Sequence, residues 1–449
     1  MIECKNSINQ QVKSLKMSST SENVDDRLSM LPEEILSHIL SLMPMKFAVQ
    51  TSILSKRWRY IWMFVTNLDF GEIRSMDSLH SLTIIVDRAL RFCTPSQVKL
   101  FRLHFPLICA RVSSVSNWID ELVRLKISEL DLRVHQLQLP PTMFTCKTLT
   151  KLRLEPSGYD GQNVWEFKCP VNLPCLKTLD MFVFSYPSLN AFKLISGSPM
   201  LESLSLDVRV RAEDEEDYVF NIPTLKRLTF TSFKCGSWTH KVVLHLPNLE
   251  YLCVEELCSL FVMEDVSSLV EASVSLRCMP DDHNHIWDEL LKGLTGVKSL
   301  SVKNLSCLTE FNSFTSSPPI FPIMKHLVLG DIGHYGQVLQ YLESSPELEQ
   351  LCIKVYPSQQ KPEEYIWVDP ELVPACVTTN LTTIKISICK WWKCDIPFLK
   401  YMIGNAKALK TIDITWKKMS IEKEKLVCAE MVKLLPKASR YCEIHFHEN

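Results

Sequence analysis

The nine residues LSKRWRYIW, Leu54 to Trp62, hold three cations, Lys56, Arg57 and Arg59, and three aromatics, Trp58, Tyr60 and Trp62. That composition could grip a nucleic acid, with cations on phosphates and rings on bases, provided that both groups share one exposed face. Helical spacing divides them instead. Leu54, Trp58, Ile61 and Trp62 fall at i, i+4, i+7 and i+8 as one apolar stripe, while the cations lie mostly off it. The spacing predicts an amphipathic helix with a basic outer face, whose apolar side needs something to pack against.

Other chemistry-bearing residues are numerous but badly spaced. The chain has 17 cysteines, yet no pair shows the two-residue gap of a zinc knuckle. The nearest pairs are Cys253 with Cys258 and Cys389 with Cys394, and the odd total, without a secretory signal, points to reduced thiols packed as small apolar groups. His283 with His285 and His445 with His447 stand two apart with no third ligand nearby, so loop or strand histidines are expected and no metal. The chain carries no G-x-S-x-G, no Walker-type loop and no H-E-x-x-H, and it has only 11 glycines from which to build a phosphate cradle. A non-catalytic chain without cofactors is the expectation.

The elements that would position these residues come from 449 residues, 46% of them apolar, which is enough for several domains or one long repeat array. A formal charge of −2 argues against general affinity for nucleic acid or an anionic membrane, and it leaves proteins as the expected partners. No apolar run is long enough for a membrane span, and the polar start has no signal-peptide core, so an intracellular, soluble protein of the nucleus or cytoplasm is expected. Residues 1–25 read as a disordered lead-in.

From Asp26 the chain reads DRLSMLPEEILSHILSLMPMKFAVQTSILSKRWRYIW. Pro32 suits a first helical turn, Glu33 and Glu34 suit its positive dipole end, and Ile35, Leu36, Ile39 and Leu40 make a stripe. Pro44 breaks that helix, MKFAVQTSIL can carry a second, and the Leu54–Trp62 stretch supplies a third. So small a unit cannot bury all of Leu31, Ile35, Leu36, Ile39, Leu40, Val49, Leu54, Trp58 and Trp62, and the surplus apolar surface awaits a partner.

Beyond Gln97 a pattern L-x-x-L-x-L, each position aliphatic or Phe, starts at Val98, Ile127, Leu149, Leu176, Leu201, Leu225, Leu249, Leu269, Val297, Met324, Leu348, Leu381 and Leu409. The mean period is about 26 residues, within the range of leucine-rich repeats. Each unit predicts one short parallel strand whose aliphatics stack on the next unit's, and twelve steps make an inner arc of roughly 58 Å. The usual strand-ending Asn is mostly missing, so the connections should be irregular. The acidic run Ala212 to Tyr218 reads as a solvated insertion in one of them. The alternate positions Thr178, Asp180, Ser203, Ser205, Arg227, Thr229, Tyr251, Ser299, Ser301, His326, Gln350 and Thr383 should line the concave face as a candidate cargo surface. They form neither a basic stripe nor an aromatic ladder.

The spacing LP-x-E-I-L-x-H-I-L-S…P-x-K…A-V…T-S-x-L-S-K-R-W-R-x-x-W resembles the F-box of plant F-box proteins. One departure is Phe47, which stands after Lys46 where the family commonly has an acid. Residues 368 to 414 are similar to the FBD region that ends many such proteins, through Pro374, Cys376, Leu381, Phe398, Tyr401, Asn405, Ala406, Leu409 and Lys410, although KWWKCDIP replaces the family's usual Gly and Glu. The expected fold is therefore α/β. A small three-helix F-box (26–70) leads into an irregular leucine-rich repeat solenoid with parallel strands in a horseshoe (98–367), capped by an FBD-type terminal region (368–449).

The resemblance implies docking of a SKP-type adaptor, and through it a cullin scaffold, by Leu31, Pro32, Ile35, Leu36, Ile39, Leu40 and Trp58. It makes the chain the substrate-recruiting subunit of an SCF-type ubiquitin ligase with an unknown protein substrate. The alternative is an adaptor-bound scaffold acting outside a ligase.

Overall fold

The computed structural model describes residues 28, 30–71, 79–93, 98–105, 114–134, 139–155, 169–184, 189–210, 217–234, 241–257, 259–276, 284–308, 317–355, 367–388, 395–416 and 429–448. The expected lead-in, residues 212–216 of the acidic run, and Cys258, His283, Cys389 and Cys394 lie outside the described residues. The chain divides into two compact units, Met1–His104 and Phe105–Asn449.

In the first unit, helix α1 (Glu33–Leu40) begins directly after Pro32 and helix α2 (Met45–Gln50) directly after Pro44. Both prolines hold extended backbone at the N-cap, which starts each helix without giving up a bonded N–H. Leu36, Leu40, Met45, Ala48, Trp58 and Ile61 form the small core. Two hydrogen bonds tie the end of α1 to strand β1 (Asn67–Phe70): the Thr66 N–H donates to Ser41 Oγ at 3.0 Å, and Asn67 Nδ2 donates to the Ser41 carbonyl at 3.0 Å. Strand β2 (Leu100–Phe105) pairs in parallel with β1, and the helix Leu79–Phe92 lies between them in sequence. β1 ends the expected F-box and β2 is the first expected repeat strand, and the helix falls between the two expected regions.

The expected third helix is different in kind. Thr51–Ile53 and Trp58–Phe64 are separate 3₁₀ segments, and a turn at Lys56–Arg57 interrupts them. A 3₁₀ helix repeats every three residues, so Trp58 and Ile61 share the buried side while Leu54 is left exposed. The i+4 stripe from Leu54 to Trp62 therefore does not form.

The second unit is a parallel sheet in the order β3 (Glu129–Val134), β4 (Lys151–Glu155), β5 (Thr178–Phe184), β6 (Ser203–Val210), β8 (Arg227–Lys234), β10 (Tyr251–Leu257), β12 (Glu271–Leu276), β13 (Ser299–Lys303), β14 (His326–Gly330), β15 (Gln350–Val355), β16 (Thr383–Ile388), β17 (Thr411–Trp416) and β18 (Glu443–Glu448). The register places like positions of successive repeats side by side. Leu252 pairs with Leu228 and Ala272, and Val254 with Phe230 and Val274. Further on, Leu300 pairs with Leu327, Leu327 with Leu351, Leu351 with Ile384 and Ile384 with Ile412. These inward side chains are almost fully enclosed, and so are the repeat-start residues Leu201, Leu225, Leu249, Met324, Leu348, Leu381 and Leu409.

Three connections are strands where irregular segments were expected. β7 (Tyr218–Asn221), β9 (Lys241–His245) and β11 (Leu260–Asp265) make a second parallel sheet in the order β11-β9-β7. Their sequences alternate, with Tyr218, Phe220, Val242, Leu244 and Phe261 buried. Phe230 of the main sheet meets Tyr218, Phe220 and Phe261 edge-on at 5.5, 6.1 and 5.8 Å. Tyr218 is thus a core residue, which corrects its place at the end of a solvated insertion. The terminal region uses the same logic with helices: Phe398, Leu399, Met402 and Ile403 of Asp395–Asn405 are buried, and Phe398 stacks on Tyr335 at 3.9 Å.

β18 is an additional strand beyond the last expected repeat, and it pairs with β17 along its whole length. It is an edge strand of the sheet, and its inward Ile444 and Phe446 are only half-buried. Burial in the array should set the cost of truncation. Leu327→Ala, in mid-sheet, is expected to cost about 2–5 kcal/mol, and Ile444→Ala less than half of that. Shifts of the urea midpoint of the far-ultraviolet signal check this, and equal shifts would contradict it.

Candidate functional site

Two surfaces, one in each unit, have side chains that the fold leaves available. In the first unit α1 is amphipathic with a thin core face. Leu36 and Leu40 are enclosed, Ile39 and Leu31 are half-buried, and Ile35 and Pro32 are exposed. Of the residues expected to dock an adaptor, then, Leu36, Leu40 and Trp58 hold the module together, and Leu31, Pro32, Ile35 and Ile39 reach the surface. More apolar side chains join them: Leu28, Met30, Leu42, Phe47, Ile53 and Leu54 are exposed, with Met30 at 75% and Ile53 at 85%. Single exposed apolar residues are ordinary on a protein surface, but this many in one short module mark a surface that is usually covered.

The opening stretch is tied to its own module by two hydrogen bonds. Arg57 donates through Nη2 to the Leu31 carbonyl, so it positions the segment leading into α1. The Trp62 indole N–H donates to the Arg59 carbonyl at 3.1 Å, which turns that ring back onto its own segment. Neither arrangement is a stacking platform for bases.

In the second unit the open face of the sheet carries the outward positions. Thr178, Ser203, Arg227 and Tyr251 follow one another in register, and so do Ser299, His326, Gln350 and Thr383. Asp180, Ser205 and Thr229 form the neighbouring row, which Ser301 continues farther along. All twelve expected positions are exposed or half-buried.

The L-x-x-L-x-L template stops short of the strand ends, and it therefore missed a third outward row that includes Asp207, Glu255, Lys303 and Lys354. Two more residues of hydrophobic alternation past each template would have found it. Lys151 and Arg153 of β4 and Lys385 of β16, also charged and outward, were not among the twelve either.

Charge is distributed unevenly along this face. At the β3–β5 end it is internally compensated: Arg133 pairs with Glu155 at 2.8 Å, and Arg153 reaches Glu155 and Asp180 at 3.3 Å each. Burial pushes the Asp180 carboxyl above its ordinary pKa, against the opposing pull of Arg153 and a hydrogen bond from Ser205. In mid-sheet the Arg227 guanidinium lies 4.2 Å from the centre of the Tyr251 ring. Burial, with Cys253 beside it, pushes the Tyr251 hydroxyl up to about 12.

Farther on, a cavity of about 390 Å³ is lined by Ser301, Lys303, Asn304, Val328, Gly330, Asp331 and Lys354. Asn304 and Asp331 leave the ends of β13 and β14 with φ of 58° and 53°, a left-handed conformation that these two residue types tolerate. The Asn304 amide donates to the Leu276 carbonyl at 3.0 Å, and the Ser306 hydroxyl donates to Asp331 at 2.9 Å, which fixes the wall.

Comparison with known proteins matches residues 28–68 to the F-box domain, 115–215 to the leucine-rich repeats described for FBD-associated F-box protein At5g56370, and 369–414 to FBD. Among similar proteins of Arabidopsis thaliana, F-box/LRR-repeat protein At3g59200 is 35% identical, over 73% of this chain and 69% of its own length. F-box/LRR-repeat protein At4g14103 is 32% identical over 73% of this chain and 91% of its own. FBD-associated F-box protein At5g56370 is 28% identical over 94% of this chain and all of its own length.

The raised Asp180 pKa gives a pH test. Below about pH 4, the ordinary range of the unfolded carboxyl, the group carries no penalty, and as pH rises through its higher folded value the buried charge costs stability. Asp180→Asn should therefore melt higher than the parent near neutral pH, with the difference vanishing below about pH 4. A pH-independent difference, or one of opposite sign, would contradict this.

Proposed function

This chain belongs to the F-box/FBD/LRR-repeat family of plant F-box proteins, and on that premise we propose that it is the substrate-recruiting subunit of an SCF-type ubiquitin ligase. The F-box binds a SKP-type adaptor that links it to a cullin. The open face of the repeat sheet holds a target protein, and ubiquitin transfer happens on other chains. The protein works inside the cell, in the nucleus or the cytoplasm; among the described residues no helix is long and apolar enough to cross a membrane.

The observation that carries this reading is the division of α1 into a buried pair, Leu36 and Leu40, and an exposed remainder led by Pro32 and Ile35, beside further exposed apolar residues from Leu28 to Leu54. A module with its own core and a surplus apolar surface is built to be completed by another protein.

The same division separates docking from folding in an experiment. Pro32→Ala with Ile35→Ala should weaken binding of a SKP-type adaptor by about thirtyfold while leaving the module's helical signal intact. Leu36→Ala should lose both together. Lys56→Gln with Arg59→Gln should change adaptor binding little, and Arg57→Gln should weaken it by loosening Leu31. Calorimetric titration of the adaptor, with circular dichroism of each variant, provides the check. Adaptor affinity unchanged in the Pro32 and Ile35 variant would contradict the docking surface.

On the open face, Arg227→Glu should remove the contact with Tyr251 and reduce target capture without affecting adaptor binding. The stability change should stay within about 0.5 kcal/mol. Proximity labelling with degradation blocked, compared between parent and variant, measures it, and an unchanged capture list would move recognition elsewhere.

A further inference from the structure

The outward positions of β13 to β16 carry Lys303, Lys354, Lys385 and His326 and neither Asp nor Glu. This contrasts with β3–β5, where the outward arginines are neutralised by carboxylates on the next strands. All three lysines are exposed. Lys303 approaches Glu255 only to 3.8 Å, and among the described residues neither Lys354 nor Lys385 has an ion pair. Lys354 and Lys385 both act electrostatically on Cys352, which stands two residues before Lys354 on β15 and opposite Lys385 on β16. Asp413, one strand beyond Lys385, is engaged by His447 at 3.4 Å.

Shape adds to charge here. Gly330 lies between Lys303 and Lys354 in the row, and with Ser301 it lowers the floor to give the 390 Å³ cavity flanked by both lysines. Asp331 is the one acid among the lining residues, and the Ser306 hydroxyl holds one of its oxygens at the wall.

We propose that the open face of β13–β16 binds an extended acidic segment of the target protein, with Lys303, Lys354 and Lys385 each taking a carboxylate and the chain lying over Gly330. This deepens the cargo-face reading and rests on it.

The spacing of the cations favours a row of carboxylates over one phosphate. Lys303 and Lys354 are two strands apart, roughly 10 Å, and Lys385 lies one strand farther, whereas a phosphate needs donors converging on one point. An extended peptide turns every second side chain to the same face, about 6.6 Å apart, so acids at alternate positions, running across the strands, face the sheet within reach of the long lysine side chains.

The test uses the full chain bound to its adaptor and fluorescein-labelled peptides of about eight residues, enough to cross these strands. One alternates glutamate with serine, one alternates glutamine with serine, and one carries a single phosphoserine among neutral residues. Fluorescence anisotropy should show binding of the glutamate peptide that weakens with salt, and little binding of the other two. Lys303→Gln, Lys354→Gln and Lys385→Gln together should reduce that affinity about tenfold, and arginine at the same three positions should restore it. Equal binding to the glutamine triple variant, equal binding of the glutamine peptide, or tighter binding of the phosphoserine peptide would each overturn the inference. Target capture in cells that survives the lysine triple variant but is lost in Arg227→Glu would overturn it and leave the cargo-face reading standing. Capture that survives both would overturn both.

Discussion

The structure of the larger unit depends on one constraint: two inward columns of aliphatic side chains must stay in register from strand to strand. Leu300, Leu327, Leu351, Ile384 and Ile412 form part of one column, and Val302, Leu329, Ile353, Ile386 and Ile414 part of the other. No strand can enclose its own pair, so each is stable only against its neighbours. A slip of one residue would turn the whole set to solvent, and that penalty holds the register over so many strands. The connections are free of this demand, which is why helices, 3₁₀ turns and a second small sheet can all serve as backing for one ladder.

The same register determines what the open face can do. Outward residues line up in three rows across the sheet, so a charge on one strand meets its partner on the next or is left for a ligand. Near β3–β5 arginine and carboxylate rows neutralise each other, and such exposed pairs add about 0–1 kcal/mol each. Toward β13–β16 the cations are only loosely compensated: Lys303 reaches Glu255 at 3.8 Å, and Asp413, opposite Lys385, is engaged by His447, so the face gains a directional field. In the F-box unit the governing fact is scarcity: a core of Leu36, Leu40, Met45, Ala48, Trp58 and Ile61 leaves the other large side chains without cover.

The ladder was legible in the amino-acid sequence because its signal repeats: L-x-x-L-x-L marks inward positions by spacing alone, and the observed register places them together. The second sheet was not legible in the same way. Tyr218–Asn221, Lys241–His245 and Leu260–Asp265 are each too short for periodicity to separate a strand from a loop, and an acidic run beside Tyr218 masked its place in the aromatic cluster around Phe230. β18 was missed because its inward residues are Ile444 and Phe446 and its repeat-start position holds the exposed Tyr441. In the F-box the motif gave the positions of both prolines and both short helices. The 3₁₀ geometry of Trp58–Phe64 and the bond from Arg57 to the Leu31 carbonyl depend on contacts across the module, which spacing does not encode.

The central claim is that one chain presents two independent protein-binding surfaces, an apolar one on the F-box and a polar one on the repeat sheet. Amide hydrogen exchange of the full chain, measured with and without a SKP-type adaptor, tests it most directly. The account predicts added protection confined to the segment from Leu28 to Phe64, with exchange in strands β3 to β18 unchanged. Protection that appears in those strands, or no protection between Leu28 and Phe64, would contradict it.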